Sequence, residues 1–291
     1  MNTTPGVFRT IKLTLAYDGT RFVGWQRQAE GESIQGLLED ALARFEGASV
    51  DVHGAGRTDA GVHALGQVAS ARVTFTHDTA TLARALNAVL PEDIRVVDVA
   101  EAAPDFHARF DARSKTYQYE MRTTPVSTPF DRAYVWHLPE PLDLNAMRQA
   151  AAVLVGTHDF AAFQSTGSET SSTVRTISRS EVRVDGGRAL SGSPRGPDQP
   201  SRSALRRSAE ASAEAEGSAP LVIYEVTGDG FLRHMVRAIV GTLVEIGRGR
   251  RPVSTMADLV AGGTRADAGA TAPARGLFLV RVDYHEGRDV P

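Results

Sequence analysis

One stretch of this chain combines glycines with side chains that can do chemistry. Residues 53–64 read HGAGRTDAGVHA, so a guanidinium (Arg57), a hydroxyl (Thr58) and a carboxylate (Asp59) follow one another between glycines. Glycine lets the backbone approach a ligand closely, and loops on a rigid scaffold often carry binding and catalytic residues. We interpret this loop as a candidate site, with Asp59 as its carboxylate.

Three other interpretations of the loop compete. A dinucleotide-binding turn needs Gly-x-Gly-x-x-Gly before a helix, but Asp59 stands where the third glycine belongs and a strand is predicted to follow. A metal site formed by His53 and His63 is disfavoured because their spacing matches no common ligand pattern. A structural glycine loop, with Arg57 and Asp59 as a solvated ion pair, stays open on this segment alone.

The elements around the loop must position it. Apolar residues alternate along 11–17, as in a half-buried strand, and recur at helical spacing from Ile34 to Phe45, with Ser33 as the predicted N-cap. Further elements are predicted in the first half of the chain: strands at 50–53 and 66–75, a helix at 79–89 and a strand at 94–99. This order is β-α-β-β-α-β.

The second half repeats the same order. Its predicted elements are strands at 116–121, 178–184, 221–227 and 277–284, helices from Leu144 to Leu154 and over 231–246, and a short extra helix at 256–260. The expected fold is therefore α+β, with two ferredoxin-like or RRM-like β-α-β-β-α-β units. Their mixed, mainly antiparallel sheets are expected to flank a central cleft, with domains over 1–112 and 113–291.

One segment departs from this pattern. Residues 185–220 are rich in Ser, Ala, Gly, Pro and charge and have almost no large apolar side chains. Such a composition cannot bury enough surface to offset its ordering entropy, so we predict a disordered insertion. Because basic and acidic residues balance within it, a passive linker is a better interpretation than an RNA-binding arm.

Composition narrows the class of protein. The chain has no cysteine, which excludes disulfides, cysteine zinc sites and thiolate nucleophiles. No apolar run is long enough for a membrane span and the N-terminus lacks a secretory signal pattern, so a cytoplasmic protein with no membrane contact is expected. The net charge of −3 neither favours nor excludes a nucleic-acid partner, because phosphates respond to local patches.

Several motifs, in order along the chain, resemble those of the tRNA pseudouridine synthase A family. The loop motif is GRTDAGVHA. The other motifs are AYDGT at 16–20, GWQ at 24–26, SIQ at 33–35, FHARF at 106–110, KTYQY at 115–119, GFLRHMVRAIVG at 230–241 and GLFL at 276–279. The resemblance extends over most of the chain and departs from the family pattern mainly in the 185–220 insertion.

The resemblance implies a role for each of five residues. Asp59 is the essential catalytic carboxylate, which attacks the uridine or assists departure of its base. Tyr117 stacks on the uracil ring and assists proton transfer, and Arg237 pairs with Asp59. Arg57 fills the gap left by the flipped nucleotide, and Leu277 contributes to substrate binding.

The proposed pairing is physically sensible. Burial raises the pKa of an aspartate from about 3.9 by up to ~3–5 units, whereas a close arginine lowers it by ~1–3 units. Without the match to the family, Arg237 would be an arginine bordering an apolar helix stripe, which is usually structural. Tyr119 shares a face with Tyr117 on the predicted strand, and we interpret Tyr119 as a core residue.

The resemblance also implies the substrate and the assembly. By this resemblance, a homodimer is expected to convert uridines at positions 38, 39 and 40 in the anticodon stem-loop of tRNA into pseudouridine. The reaction is an internal rearrangement, so neither a cofactor nor a metal is expected.

Two other classes of protein remain as alternatives. A non-catalytic RNA-binding protein of RRM type is less favoured because the aromatic RNP string is absent. A glycosidase is less favoured because Asp59 has no second carboxylate within its own motif.

Overall fold

The computed structural model describes residues 8–165, 170–185 and 221–285. Within them the contacts divide into two compact units. The first unit runs to Lys115 and includes the chain again from Phe278, and the second spans Thr116–Leu277. Each unit combines strands with helices, so the predicted α+β class is confirmed. The domain boundary between residues 112 and 113 and the central cleft stay predictions.

The first unit contains the first β-α-β-β-α-β copy. Its elements are β1 (Arg9–Tyr17), α1 (Ile34–Glu46), β2 (Val52–Gly54), β3 (His63–Val73), α2 (Thr79–Val89) and β4 (Ile94–Ala102). The strand order is β4-β1-β3, and β2 also pairs with β3; all of these pairs are antiparallel. The last strand of the chain, β10 (Leu277–Tyr284), pairs with β3 in parallel.

Local sequence explains these elements. Ile11, Leu13 and Leu15 of β1 are fully buried, as the predicted alternation requires. Ser33 caps α1, because its side-chain oxygen accepts a hydrogen bond from the Gly36 N–H at 3.1 Å, which confirms the predicted cap.

The second unit contains the second copy except for its last strand, β10, nearly all of which belongs to the first unit. Its elements are β5 (Ala112–Arg122, which begins in the first unit), β6 (Trp136–His137), α3 (Leu144–Ala152), β7 (Gly156–Asp159), β8 (Val174–Asp185), β9 (Leu221–Gly228), α4 (Met235–Gly247) and α5 (Thr255–Val260). The strand order is β5-β9-β8-β7, and β6 pairs with β5 in parallel. The helix α4 is buried on nearly all sides and packs against α3. In chain order β10 follows, as the repeat predicts.

One predicted helix begins at a different residue, and two short strands were not predicted. The helix expected from residue 231 begins at Met235, because His234 adopts a left-handed backbone conformation with φ 62° that interrupts helical geometry. The strands β6 and β7 were missed because two and four residues are too few to show a period.

The predicted insertion at 185–220 lies outside the described residues, except for Asp185, which ends β8. Among the described helices, none combines the length and the apolar character needed to cross a membrane.

Candidate functional site

The loop that carries Asp59 lies between β2 and β3 of the first unit, and backbone hydrogen bonds hold it. The Trp25 N–H donates to the Thr58 carbonyl at 3.0 Å, and Asp59 forms an isolated antiparallel bridge with Gly24. The Val62 N–H then donates to the Asp59 carbonyl at 3.1 Å and closes a turn. The backbone at Asp59 is therefore fixed on both sides.

Gly24 is required by this arrangement. It has φ +115°, a conformation that L side chains rarely adopt, and a Cβ at this position would lie 2.6 Å from the Thr58 carbonyl oxygen. The Gly-Trp-Gln segment and the Asp59 loop therefore form one piece of structure, although they are far apart in the sequence.

Buried polar side chains of the neighbouring strands form hydrogen bonds to the loop. The Tyr17 hydroxyl and Thr58 Oγ1 are 2.8 Å apart, and Gln67 Nε2 donates to the Gly56 carbonyl at 2.9 Å. Tyr17, Thr58 and Gln67 are all buried. Burial raises the pKa of Tyr17 to about 12, against the smaller lowering effect of its hydrogen bonds to Thr58 and Gln67, so its hydroxyl stays protonated at neutral pH.

Asp59 itself is half-buried, whereas Arg57 is exposed. A carboxylate on a rigid backbone at the protein surface can meet a ligand without reorganisation. The long side chain of Lys115 also passes this loop, since a Cβ added at Gly56 would lie 3.4 Å from its Cε. One acidic side chain (Asp59) and two basic side chains (Arg57 and Lys115) therefore lie at this loop.

The two histidines that flank the loop have separate partners. His63 Nδ1 accepts a hydrogen bond from the Gly19 N–H at 3.1 Å, and the His63 ring stacks on Phe278 at 4.8 Å. His53 stacks instead on His107 at 4.8 Å. Among the residues with described positions, no group of three or more His, Cys, Asp or Glu side chains is arranged to hold a metal ion.

The second unit holds Tyr117, which lies on β5. Its side chain is 7% exposed, and the ring meets the Phe231 ring edge-on at 5.1 Å. Tyr119 on the same face is fully buried and donates its hydroxyl hydrogen to the Pro273 carbonyl at 2.8 Å, as expected for a core residue. Phe231 therefore braces Tyr117 from the segment that leads into α4.

Arg237 lies on the first turn of α4 and is half-buried. Its Nε donates to the Ala272 carbonyl at 2.8 Å, and the Ala272 N–H donates back to the Arg237 carbonyl at 3.0 Å. The helix surface one turn later, at Gly241, is covered by backbone, because a Cβ on Gly241 would lie 1.6 Å from the Ala270 carbonyl oxygen.

Leu277 is 5% exposed and directly follows a short 3-10 helix (Ala274–Gly276). Gly276 lies against the Tyr119 ring, which a Cβ would approach to 2.7 Å. Within the second unit, the segment before β10 is thus held against both Tyr119 and Arg237.

These positions separate the candidate residues into two groups. Asp59 and Arg57 share the loop of the first unit, and Tyr117, Arg237 and Leu277 belong to the second unit. The Asp59–Arg237 pairing stays a prediction.

Sequence reasoning missed the supporting residues. The sequence assigns Tyr17 to a strand and to the AYDGT motif and Phe231 to a helix, but it predicts a supporting role for neither. Gln67 lies within a predicted strand and has no predicted role. A signal existed for Gln67, because a glutamine within an otherwise apolar strand needs a polar partner when it is buried.

A family model described as tRNA pseudouridine synthase matches residues 14–111 and 150–285, which is more than half of the chain. A solved structure described as a dye-decolorizing protein from V. cholerae reaches a TM-score of only 0.19 at 12% identity, which carries no weight for the fold.

Curated relatives match nearly the whole chain. The tRNA pseudouridine synthase A of Solidesulfovibrio magneticus is 44% identical, over 94% of this chain and 90% of that protein. The proteins of the same name from Myxococcus xanthus and Moorella thermoacetica are each 42% identical, over 95% and 94% of this chain and 92% and 99% of theirs. The chain therefore belongs to the tRNA pseudouridine synthase family.

Proposed function

We propose that this protein is an isomerase that converts uridine into pseudouridine in tRNA, with Asp59 as its catalytic carboxylate. The observation that carries the proposal is the half-buried Asp59 on a loop fixed by Gly24, Trp25 and Val62. The family membership and the relatives named tRNA pseudouridine synthase A support the reaction and the substrate class.

The reaction sets what the site must do. The bond from uracil N1 to ribose C1′ breaks, and a bond from uracil C5 to the same C1′ forms. The C5 hydrogen leaves as a proton and N1 gains one, so atoms and electrons balance without an external group. The protein must hold a detached base, rotate it and move a proton.

Asp59 suits the first of these tasks. A carboxylate can act as a nucleophile towards the uridine or stabilise the positive charge that grows on the ribose as the base departs. Both roles need Asp59 to be ionised. We propose that Arg237 pairs with Asp59 in the substrate complex and keeps it so, because a neighbouring guanidinium favours the carboxylate form.

The aromatic ring of Tyr117 suits the second task. We assign it to stack on the uracil, with Phe231 at its edge to fix the plane of the ring. Stacking of a base on an aromatic side chain is worth ~1–3 kcal/mol, comparable with the few kcal/mol that extruding a nucleotide costs.

Arg57 and Leu277 receive supporting roles. Arg57 is exposed on the same loop as Asp59, so its guanidinium can occupy the gap in the RNA stack that the flipped nucleotide leaves. Leu277 offers an apolar contact to the base.

The finer points of the proposal concern substrate position and assembly. We infer that the target uridines are positions 38, 39 and 40 of the anticodon stem-loop. The protein acts in the cytoplasm, as a homodimer and without a cofactor. Because neighbouring positions share one site, recognition depends on tRNA shape and phosphates more than on base sequence.

Mapping pseudouridines in tRNA from cells that lack this protein tests the proposal. We expect uridines 38, 39 and 40 to replace pseudouridine, and a plasmid copy of the wild type to restore the modification while Asp59→Ala does not. Unchanged modification in the deletion strain would refute the substrate. Restoration by Asp59→Ala would refute the role of the carboxylate, and release of free uracil by the purified protein would indicate a glycosidase.

A further inference from the structure

The first unit exposes a cluster of aromatic rings and one guanidinium beside β2, which we call the aromatic platform: His53, His107, Arg109 and Phe110. The rings of His53 and His107 stack at 4.8 Å with 20° between their planes, and His107 contacts Phe110 at 4.3 Å. The Arg109 guanidinium lies 5.6 Å from the centre of the Phe110 ring. Phe110 is nevertheless 74% exposed.

Buried neighbours hold the platform in place. Phe106 and Ala108 alternate with the platform residues and are buried. The Ala108 N–H donates to Ser70 Oγ at 3.1 Å, and the Tyr284 hydroxyl donates to the Ala108 carbonyl at 2.7 Å. The segment is therefore tied to β3 and β10, and its exposed rings are ordered before any ligand arrives, which lowers the entropy cost of binding.

The polar contacts of His107 fix its ring as well. The ring Nδ1 accepts a hydrogen bond from the Arg109 backbone N–H at 3.1 Å, and the backbone N–H of His107 donates to Asp111 Oδ2 at 2.8 Å. Burial, followed by the nearby imidazole of His53, lowers the pKa of His107, so the ring is neutral at neutral pH. A neutral, fixed imidazole is a stacking surface rather than a charge.

The chain leads directly from the platform to the catalytic loop. His53 lies on β2, and the next residue, Gly54, ends that strand where the loop of Arg57 and Asp59 begins. An RNA that presents a nucleotide to Asp59 therefore passes near His53. Every nucleobase has a flat face that stacks on aromatic rings, and arginine suits an adjacent phosphate.

We propose that the aromatic platform binds an unpaired nucleobase of the tRNA outside the reacting uridine, with Phe110 as the stacking ring and Arg109 on the neighbouring phosphate. The proposal rests on the function proposed above, because it assumes tRNA as the ligand. It adds a contact that anchors the RNA beside the reacting nucleotide.

The test measures equilibrium binding of tRNA to Asp59→Ala protein, so that turnover does not change the ligand. Relative to the Asp59→Ala parent, we expect Phe110→Ala to raise Kd by roughly tenfold, the scale of one lost base stack, and Phe110→Trp to leave Kd unchanged. Phe130→Ala is the matched control, because Phe130 is 88% exposed in the second unit. It should leave Kd unchanged.

A second arm identifies the base. Binding of the Asp59→Ala protein is measured for a series of tRNAs, each with one abasic nucleotide. Loss of the base at one unpaired position should raise Kd about as much as Phe110→Ala does. At that position the two changes should not add, as expected when they remove the same contact. Additive effects at every position would overturn the proposal, as would equal Kd values for Phe110→Ala and its parent.

Two further results separate this proposal from others. If Phe110→Ala lowers tRNA affinity only by dissociating an oligomer, seen as a change of mass in light scattering, the platform is a protein interface and the proposal fails. If wild-type protein forms pseudouridine while Phe110→Ala binds tRNA normally, the proposed function stands and the platform alone is refuted.

Discussion

The two regions assigned to catalysis are held by different kinds of contact. In the first unit, buried side chains form hydrogen bonds to the Asp59 loop. The Tyr17 hydroxyl bonds to Thr58 Oγ1, and Gln67 Nε2 donates to the Gly56 carbonyl. In the second unit, Arg237 hydrogen-bonds to Ala272, and the neighbouring backbone at Ala270 packs directly against α4 at Gly241. The first region should thus be sensitive to lost polar groups, and the second to added volume.

The largest effect should come from adding volume in the second unit. Gly241→Ala places a methyl group 1.6 Å from the Ala270 carbonyl oxygen. Alanine gains about 1 kcal/mol of helix propensity over glycine, but overpacking against backbone costs more. Overpacking at its upper end of about 3 kcal/mol, less this gain, leaves a net loss of about 2 kcal/mol in the free energy of unfolding, measured by urea denaturation.

A matched change in the same unit sharpens this prediction. In Gly230→Ala, the nearest atom to the added Cβ among the residues that the structure describes would be Arg175 Nε at 3.4 Å, an ordinary contact. Its free energy of unfolding should stay within about 0.5 kcal/mol of wild type. Equal losses for both variants would show that tight packing at Gly241 is not what holds this segment.

Replacing the guanidinium should affect catalysis more than stability. Arg237→Lys keeps the positive charge, but it loses the planar group whose Nε donates to the Ala272 carbonyl. We expect kcat for pseudouridine formation to fall about 10–100-fold, with tRNA binding nearly unchanged. Arg233→Lys, at an exposed residue just before the start of α4, is the control. Wild-type kcat in Arg237→Lys would remove Arg237 from the proposed mechanism.

Deleting one hydroxyl should test the polar support of the first unit. Tyr17→Phe leaves buried Thr58 and Gln67 without the phenol oxygen that both contact. An unsatisfied buried polar group costs about 1–3 kcal/mol, and we expect a loss of about 1–2 kcal/mol in the free energy of unfolding. Thr58→Val should cost less in the Tyr17→Phe background than alone, because the two side chains share one hydrogen bond.

The smallest effect should appear at high pH. Burial raises the pKa of Tyr17 from 10.0 to about 12, so the unfolded chain ionises first as pH rises. The stability that Tyr17 contributes is therefore full below pH 10 and is lost towards pH 12. Between pH 10 and 11, wild type should lose about 1 kcal/mol more stability than Tyr17→Phe. Parallel pH profiles of the two proteins would contradict this.

Elements with a strong period could be predicted from sequence. The helix from Thr79 to Val89 and the strand from Leu277 to Tyr284 were predicted with the bounds that the structure has. The start of α4 was not predicted, because its apolar periodicity extends to residues before His234. Only the backbone conformation of His234 shows that the helix begins after it. Apolar periodicity indicates which residues are buried and not which are helical, and Phe231 is partly buried but lies outside the helix.

The candidate site shows a similar limit. The residue types and spacing around Asp59 predicted the loop as a candidate site. The match of several motifs to one family then favoured a functional site over a structural glycine loop. The support of the loop by Tyr17 and Gln67 depends on pairing between distant strands, which spacing along the chain does not encode. The need for glycine at position 241 could not be predicted either, because Ala270, which packs against it, is far away in the sequence.

The account depends most directly on the carboxylate of Asp59. Single-turnover reactions with tRNA tritiated at uridine C5 report the reaction as tritium released to water, and tRNA binding is measured in parallel. Asp59→Asn should bind tRNA within about threefold of wild type and release tritium at least about 10³-fold more slowly, while Asp51→Asn, an exposed carboxylate nearby, matches wild type. Tritium release by Asp59→Asn within tenfold of the wild-type rate would contradict the account.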